Sequence, residues 1–206
     1  MASILIRDVT LPGRSAVGPA AVLVEDGQIA SISADIDDAA ADIVIDGAGS
    51  TAFPGFVDIH IHGAVGVDIN DGDADSMFRV AAFLARNGVT SWVPTLVPDS
   101  DENYRRVIGE IERLVQIQAG KPVAQAVGVH YEGIFANEKM CGALRPEYFR
   151  QFDAAGPIGL PVLKSGVHLT TLAPEVPGGI ELIKHMVADG WTPFIGHTRA
   201  DVATLD

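Results

Sequence analysis

The sequence predicts an α/β fold: an α/β sheet, or the first part of an eight-stranded (βα) barrel, with about five strands over residues 54–206. A small, sandwich-like β domain over residues 1–53 precedes it. Strand-like runs end near residues 62, 96, 132, 173 and 197, a rhythm of about one βαβ unit. The stretches between them carry apolar residues at helical intervals, whereas residues 1–53 hold short apolar runs separated by turn signals. The chain is 48% hydrophobic, and its 22 glycines push the apolar share above the usual ~45–50%. That excess suits parallel strands buried on both faces. It equally suits a fragment whose partner elements are missing.

At 206 residues the length allows one domain, or one and a piece. The single cysteine, Cys141, excludes an internal disulfide, and with no secretory leader the chain reads as a cytoplasmic protein. Residues 1–9 are too short and too interrupted to cross a membrane. A net charge of −13 argues against nucleic acid and anionic membrane as partners. A small anionic substrate stays open, because a few local cations can hold one.

Within residues 1–53, Ile4–Ile6, Ala21–Val24, Ile29–Ile32 and Ile43–Ile45 read as strands, with turns at Leu11-Pro-Gly13 and Glu25-Asp-Gly27. Asp26-Gly27 between two apolar runs is a hairpin signal. Next, Phe53-Pro-Gly-Phe-Val-Asp-Ile-His-Ile-His-Gly63 runs from a Pro-Gly turn into strict alternation and stops at glycine. A strand there sends His60 and His62 to one face and packs Val57, Ile59 and Ile61 on the other. A helix over 75–87 carries Met77, Val80, Ala81 and Leu84 as a stripe and ends at Asn87-Gly88. The strand 90–96 contains Pro94, placed near its end because proline cannot donate to a ladder. Asp99 and Glu102 fit the N-cap and N3 positions of a helix reaching about Gln118. Its apolar face holds Tyr104, Val107, Ile108, Ile111, Leu114 and Val115. A third strand, 126–132, ends at Gly133; an irregular, functional segment over 134–144 and a helix near 146–152 follow. The fourth strand, 167–173, leads to a helix through Ile180, Ile183 and Val187. The fifth is 192–197, and Thr198 with Asp201 caps one more helix. No Gly-x-Gly-x-x-Gly follows a strand, so a dinucleotide fold has no support.

His60 and His62 close the first of these strands, Glu132 the third and His197 the fifth, all at the carboxyl ends where barrel enzymes carry their sites. Singly, each has a plainer reading: hydrogen-bonded strand histidines, a helix-capping glutamate, a histidine that satisfies a backbone carbonyl. Together they offer three imidazoles and one carboxylate, a set that suits zinc or a similar divalent ion.

Pro54-Gly-Phe-Val-Asp-Ile-His-Ile-His-Gly63 resembles the signature of the metal-dependent amidohydrolase superfamily. Gly128-Val-His-Tyr-Glu-Gly133, Thr171-Leu-Ala-Pro-Glu175 and Gly196-His-Thr198, in that order, resemble the N-acetylglucosamine-6-phosphate deacetylase branch. The resemblance covers essentially the whole chain and implies the amino-terminal half of an amidohydrolase-type TIM barrel. It implies that His60 and His62 hold one metal position, that His197 holds another, and that one or two ions, zinc above all, are bound. Many relatives bridge metals with a lysine on strand four; here Lys164 precedes that strand, and the resemblance gives the bridging role to Glu132. The implied reaction removes the acetyl group of an N-acetylated amino sugar, N-acetylglucosamine 6-phosphate, with a metal-activated water. A strand-eight aspartate serves the family as base and then acid. That aspartate, a second histidine on strand six and the phosphate-gripping cations are expected beyond Asp206, which leaves no catalytic base in this chain. Relatives imply a homodimer.

Two departures from the branch bear on substrate. Ile134 stands where the family has proline, and Gly142-Ala-Leu144 stands where relatives have Gly-Ala-His along the sugar. Gly142 and Ala143 are candidates to meet substrate through their backbone, and a deacylase for another small N-acyl compound is the alternative. From a different class comes a non-catalytic half barrel that binds metal, or pairs with a second copy to cover its open edges. His130 shares a face with Glu132 and is expected to orient it. His168 is expected to be structural and His185 solvated. Glu175 fits a functional role and a capping or loop-fixing one about equally. Cys141 has no base nearby in sequence and is not read as a nucleophile.

Overall fold

The structure, a computed structural model, describes residues 2–13, 19–153 and 157–205. The chain divides into two compact units, Met1–Pro54 and Gly55–Asp206. In the first, β1 (Ile4–Val9), β2 (Ala20–Glu25), β3 (Gln28–Ser33) and β4 (Ile43–Asp46) form one sheet in the order β3-β2-β1-β4. The β2–β3 hairpin turns on Asp26 and Gly27, both at positive φ (50° and 76°), the geometry of a type I′ turn. Leu5, Val9, Ala21 and Val22 are buried; Ile43, Val44 and Ile45 of β4 are exposed.

The second unit alternates strands and helices. β5 (Phe56–Ile61) leads into a tight hairpin of β6 (Gly63–Ala64) and β7 (Val67–Asp68), followed by α1 (Ala74–Arg86). Then come β8 (Val89–Leu96), α2 (Asp101–Ile117), β9 (Gln125–Ala126) and β10 (Gly128–Glu132). β11 (Val167–Leu172), α3 (Gly179–Ala188), β12 (Thr192–Ile195) and α4 (Val202–Leu205) complete it. Five strands pair in parallel in the order β12-β11-β10-β8-β5, the sheet of a partial TIM barrel.

Strand alternation sorts the side chains. Trp92 and Leu96 of β8, Val129 and Tyr131 of β10, and Leu172 of β11 join the core under the helices. Met77, Val80, Ala81 and Leu84 of α1 and Tyr104, Val107, Ile108, Ile111 and Leu114 of α2 meet them there. Thr95, His130, Glu132 and Thr171 take the alternate positions on the same strands, facing the opposite side. The site is therefore assembled on the face the helices do not cover.

Several elements depart from the sequence reading. The cap of α2 is Ser100, whose Oγ accepts from Asn103 N; Asp99 is engaged instead by Asn70, Asn103 and Arg145. The helix expected near 146–152 is a single 3-10 turn, Pro146–Tyr148. On α3 the buried stripe is Leu182 and Met186, while Val187 is 57% exposed. That short helix carries apolar residues on two adjacent stripes, and packing rather than periodicity chose between them. Val57 and Ile59 are exposed rather than packed, because β5 is an edge strand with one neighbour; Ile61 alone reaches the core. Pro94 stands two residues from the end of β8, where the β5–β8 register shifts.

Candidate metal centre

β5 supplies His60, and His62 follows one residue past its end on the same alternation. Its ladder to β8 is irregular between Asp58 and Ile61, and the backbone groups released there are reused. Ile61 N donates to Thr95 Oγ1 (2.9 Å), and Ile59 O accepts from His130 Nδ1 (2.9 Å). Gly63 ends the strand at φ 136°, where a Cβ would lie 1.9 Å from Val67 O. Only glycine allows that approach, and with Ile69 N donating to His62 O (2.9 Å) the hairpin fixes where His62 sits.

Four predicted residues come together. His60 Nε2 lies 3.1 Å from His62 Nε2. Glu132, the last residue of the central β10, places Oε2 3.0 Å from His62 Nε2 and Oε1 3.5 Å from His60 Nε2. His197 Nε2 lies 3.0 Å from Glu132 Oε1. His60, His62 and Glu132 offer ligand atoms all within 4.8 Å of one another, a group that could hold a metal ion. His197 joins that trio through one carboxylate oxygen.

The hydrogen bonds around the donor set show what charge it accepts. His197 Nδ1 donates to Met140 O (2.8 Å), so in a neutral ring Nε2 is a bare acceptor. It faces another acceptor, Glu132 Oε1. His62 Nε2 points at the other carboxylate oxygen, Oε2 (3.0 Å). The His60–His62 contact likewise sets nitrogen against nitrogen. His197 Nε2 and Glu132 Oε1 attract only if a positive charge lies between them, a proton or a metal ion, whereas the His60–His62 contact closes through a neutral Nε2–H tautomer as well as around a cation. Without metal, protons fill the role: hydrogen bonding to Glu132 raises His62 above its ordinary value despite burial. Burial opposes the Glu132 charge, yet His62, His197 and His60 outweigh it and pull the carboxyl down to about 2. The arrangement fits a divalent cation.

Around this group the fold is stiff. His130, 2% exposed, does not bond Glu132 as the sequence reading expected. Its Nδ1 donates to Ile59 O, its Nε2 accepts from Thr171 Oγ1 (2.8 Å), and its ring stands edge-on to His60. Burial lowers its proton affinity, so it ties β5, β10 and β11 together as a neutral ring. Gly142 and Ala143 are exposed; Leu144 behind them is buried, with Cδ1 against Gly133. His168 Nε2 accepts from Leu163 N (2.9 Å), and His185 is exposed, its ring against Phe152. Thr95, Thr171 and Asn137 escaped the sequence reading, since no periodicity marks a side chain whose partner lies on another element; Glu175, open between a functional and a loop-fixing role, holds the 198–199 loop. No helix of the described residues is long and apolar enough to cross a membrane.

The parallel half-barrel with its paired histidines at the end of the first strand has the amidohydrolase-type fold, as a partial TIM barrel. Within that class the chain resembles hexosamine-phosphate deacetylases over their amino-terminal half. It is 32% identical over 160 residues to N-acetylglucosamine-6-phosphate deacetylase of Danio rerio, covering 74% of this chain and 39% of that protein. It is 32% identical over 148 residues to N-acetylgalactosamine-6-phosphate deacetylase of Escherichia coli, covering 71% of this chain and 39% of that one. A solved variant of the Mycobacterium smegmatis N-acetyl-D-glucosamine-6-phosphate deacetylase, in complex with N-acetyl-D-glucosamine-6-phosphate, superposes with a TM-score of 0.79 at 27% identity. That match covers 99% of this chain and 52% of the other. The chain thus spans 39% to 52% of the length of these three relatives. No protein-family model matches it.

Proposed function

We propose that this chain carries the metal-binding half of a hydrolase that removes the acetyl group from an N-acetylated hexosamine 6-phosphate. The observation that supports it is the convergence of His60, His62 and His197 on Glu132 at the carboxyl ends of parallel strands. The resemblance to deacetylases of both epimeric sugars supplies the substrate class. Three nitrogens and a carboxylate favour zinc.

A divalent ion held there supplies Lewis acidity, polarising an acyl carbonyl and making water a better nucleophile. The protein's own part is orientation. Met140 O fixes the His197 tautomer, and Glu132 gives its two oxygens to different partners. Side chains of His60 and His62 remain 41% and 43% exposed, leaving that side of the site open to substrate, with Glu132 recessed behind them. Leu144, buried behind Gly142 and Ala143, leaves substrate contact on this segment to backbone groups.

The test is a substrate panel on the metal-loaded protein in the longest form its gene encodes. Acetate release from N-acetylglucosamine 6-phosphate or N-acetylgalactosamine 6-phosphate is expected, abolished by chelator and restored by zinc. Bound metal with turnover of neither sugar would overturn the substrate assignment.

A further inference from the structure

His197 has an unusual backbone. It stands two residues past the end of β12 at φ 50°, a left-handed conformation that is strained for a non-glycine residue. Such a conformation persists only where its surroundings over-determine it. The ring is held by Met140 O, and Asn137 N donates to the His197 carbonyl (3.0 Å). The two residues that follow are both held by one carboxylate. Glu175, three residues past β11, accepts from Thr198 Oγ1 with Oε2 and from Arg199 N with Oε1 (2.6 Å). Oε1 also accepts from the Asn137 side chain (2.8 Å), so the clamp on Thr198 and Arg199 and the residue bonded to the His197 carbonyl meet at the same oxygen. Thr198 Oγ1 in turn accepts from Ala200 N (2.9 Å), closing the turn.

We infer that Glu175 is a positioning residue: its carboxylate holds Thr198 and Arg199, keeps His197 in its left-handed conformation and thereby aims His197 Nε2 at the metal site. The inference rests on the reading of His197 as a metal ligand. Remove the carboxylate, and Thr198 and Arg199 lose their shared acceptor. The turn is then free to relax to negative φ, which swings the imidazole off Glu132. The metal would keep His60, His62 and Glu132, and lose its link to the far edge of the sheet.

Cobalt(II) binding to the metal-free protein, followed by its visible absorption, tests this. Glu175→Ala should weaken cobalt affinity about 10–100-fold and alter the visible bands, as loss of a ligand-orienting partner does. Glu175→Gln keeps an acceptor oxygen for Arg199 N and Asn137 and should stay within about threefold of wild type. In a His197→Ala background, Glu175→Ala should add no further loss, because the ligand it aims is gone. An additive loss there, or wild-type affinity and spectrum in a folded Glu175→Ala protein, overturns the inference. Should Glu175→Ala fail to fold, Thr198→Val removes the hydroxyl that donates to Oε2 and accepts from Ala200 N while leaving Glu175 in place; a weaker cobalt affinity is expected, and wild-type binding overturns it. If the wild-type protein takes up no cobalt, or His197→Ala binds it as wild type does, the ligand reading of His197 falls first and this inference with it.

Discussion

The two edge strands of the parallel sheet, β5 and β12, both deliver histidines to Glu132 on the central β10, by different means. On β5 the delivery is local: His60 and His62 share a strand face, and Gly63 stops the strand at once. On β12 it is tertiary. The strand ends at Ile195, and His197 reaches Glu132 from a left-handed turn held by Met140, Asn137, Thr198 and Glu175. A ligand on regular structure needs only the pattern that makes the strand, whereas a ligand in a turn needs a set of distant residues to agree.

The comparison makes its largest prediction about metal. His62→Ala or Glu132→Ala removes a member of the compact trio and should lower zinc affinity more than about 100-fold, beyond the range of outer-shell losses. His197→Ala, which touches the trio through Oε1 alone, should cost about 10–100-fold. Competition with a chromophoric chelator reads both. Equal losses would break the distinction and make His197 a full member of a single four-ligand site.

Next in size is the cost of ending each strand. At Gly63 an added Cβ meets the backbone oxygen of Val67 at φ 136°, and Gly63→Ala should destabilise by about 2–4 kcal/mol. At Gly196 the added atom meets the Thr171 methyl at 2.5 Å, a stiff side chain pinned through Oγ1 to His130, but no backbone and no positive φ, and a smaller loss of about 1–3 kcal/mol is expected. Urea unfolding of the two variants separates them. A larger loss at Gly196 would mean that the β12 edge is the more tightly built.

Two adjacent threonines of β11 sharpen the point further. Thr171 Oγ1 donates to buried His130, the ring that also holds Ile59 O of β5. Thr171→Val leaves that nitrogen without a donor and should cost about 1–2 kcal/mol. Thr170, one residue earlier on the opposite face, has a buried hydroxyl without a partner among the described residues. Thr170→Val should be neutral or stabilise by up to about 1 kcal/mol. Thermal unfolding of the pair checks the sign.

The same contrast explains what was legible in the sequence. His-x-His, the strand ends at Glu132 and the helical faces of α1 and α2 follow from periods of two and 3.6, and the structure places them as those periods require. The face of α3 and the segment 146–152 were not legible, because a short helix with two apolar stripes and a chain of turns carry no dominant period. The role of His130 was misjudged for a related reason. Sharing a strand face with Glu132 told where the ring points, but an irregular β5 ladder, invisible in sequence, supplied its partner at Ile59. Glu175 was noticed at the end of β11, yet its partners lie 24 and 38 residues away in loops.

The smallest expected effect concerns Asp99, which touches both halves of this arrangement. Its carboxylate accepts from Asn70, just past the β5 hairpin, and from Arg145, on the segment that also presents Met140 O to His197. Burial alone would make Asp99 harder to ionise, but donors from Ser100 N, Asn70, Asn103 and Arg145 outweigh it and hold the carboxyl below its ordinary value. A carboxyl depressed in the folded state contributes stability that is complete above its unfolded pKa of about 3.9 and is lost as pH falls through the lower folded value. Asp99→Asn keeps one acceptor and loses the charge, so wild type should be the more stable at neutral pH, with the gap closing only on strong acidification. Other carboxylates, Glu132 and Glu175 among them, titrate in both proteins and cancel in the difference. Unfolding measured between pH 7 and pH 2 on the metal-free pair reads that gap. A gap that stayed constant with pH would show that Asp99 joins the two halves by shape and hydrogen-bond count, and that its charge contributes nothing.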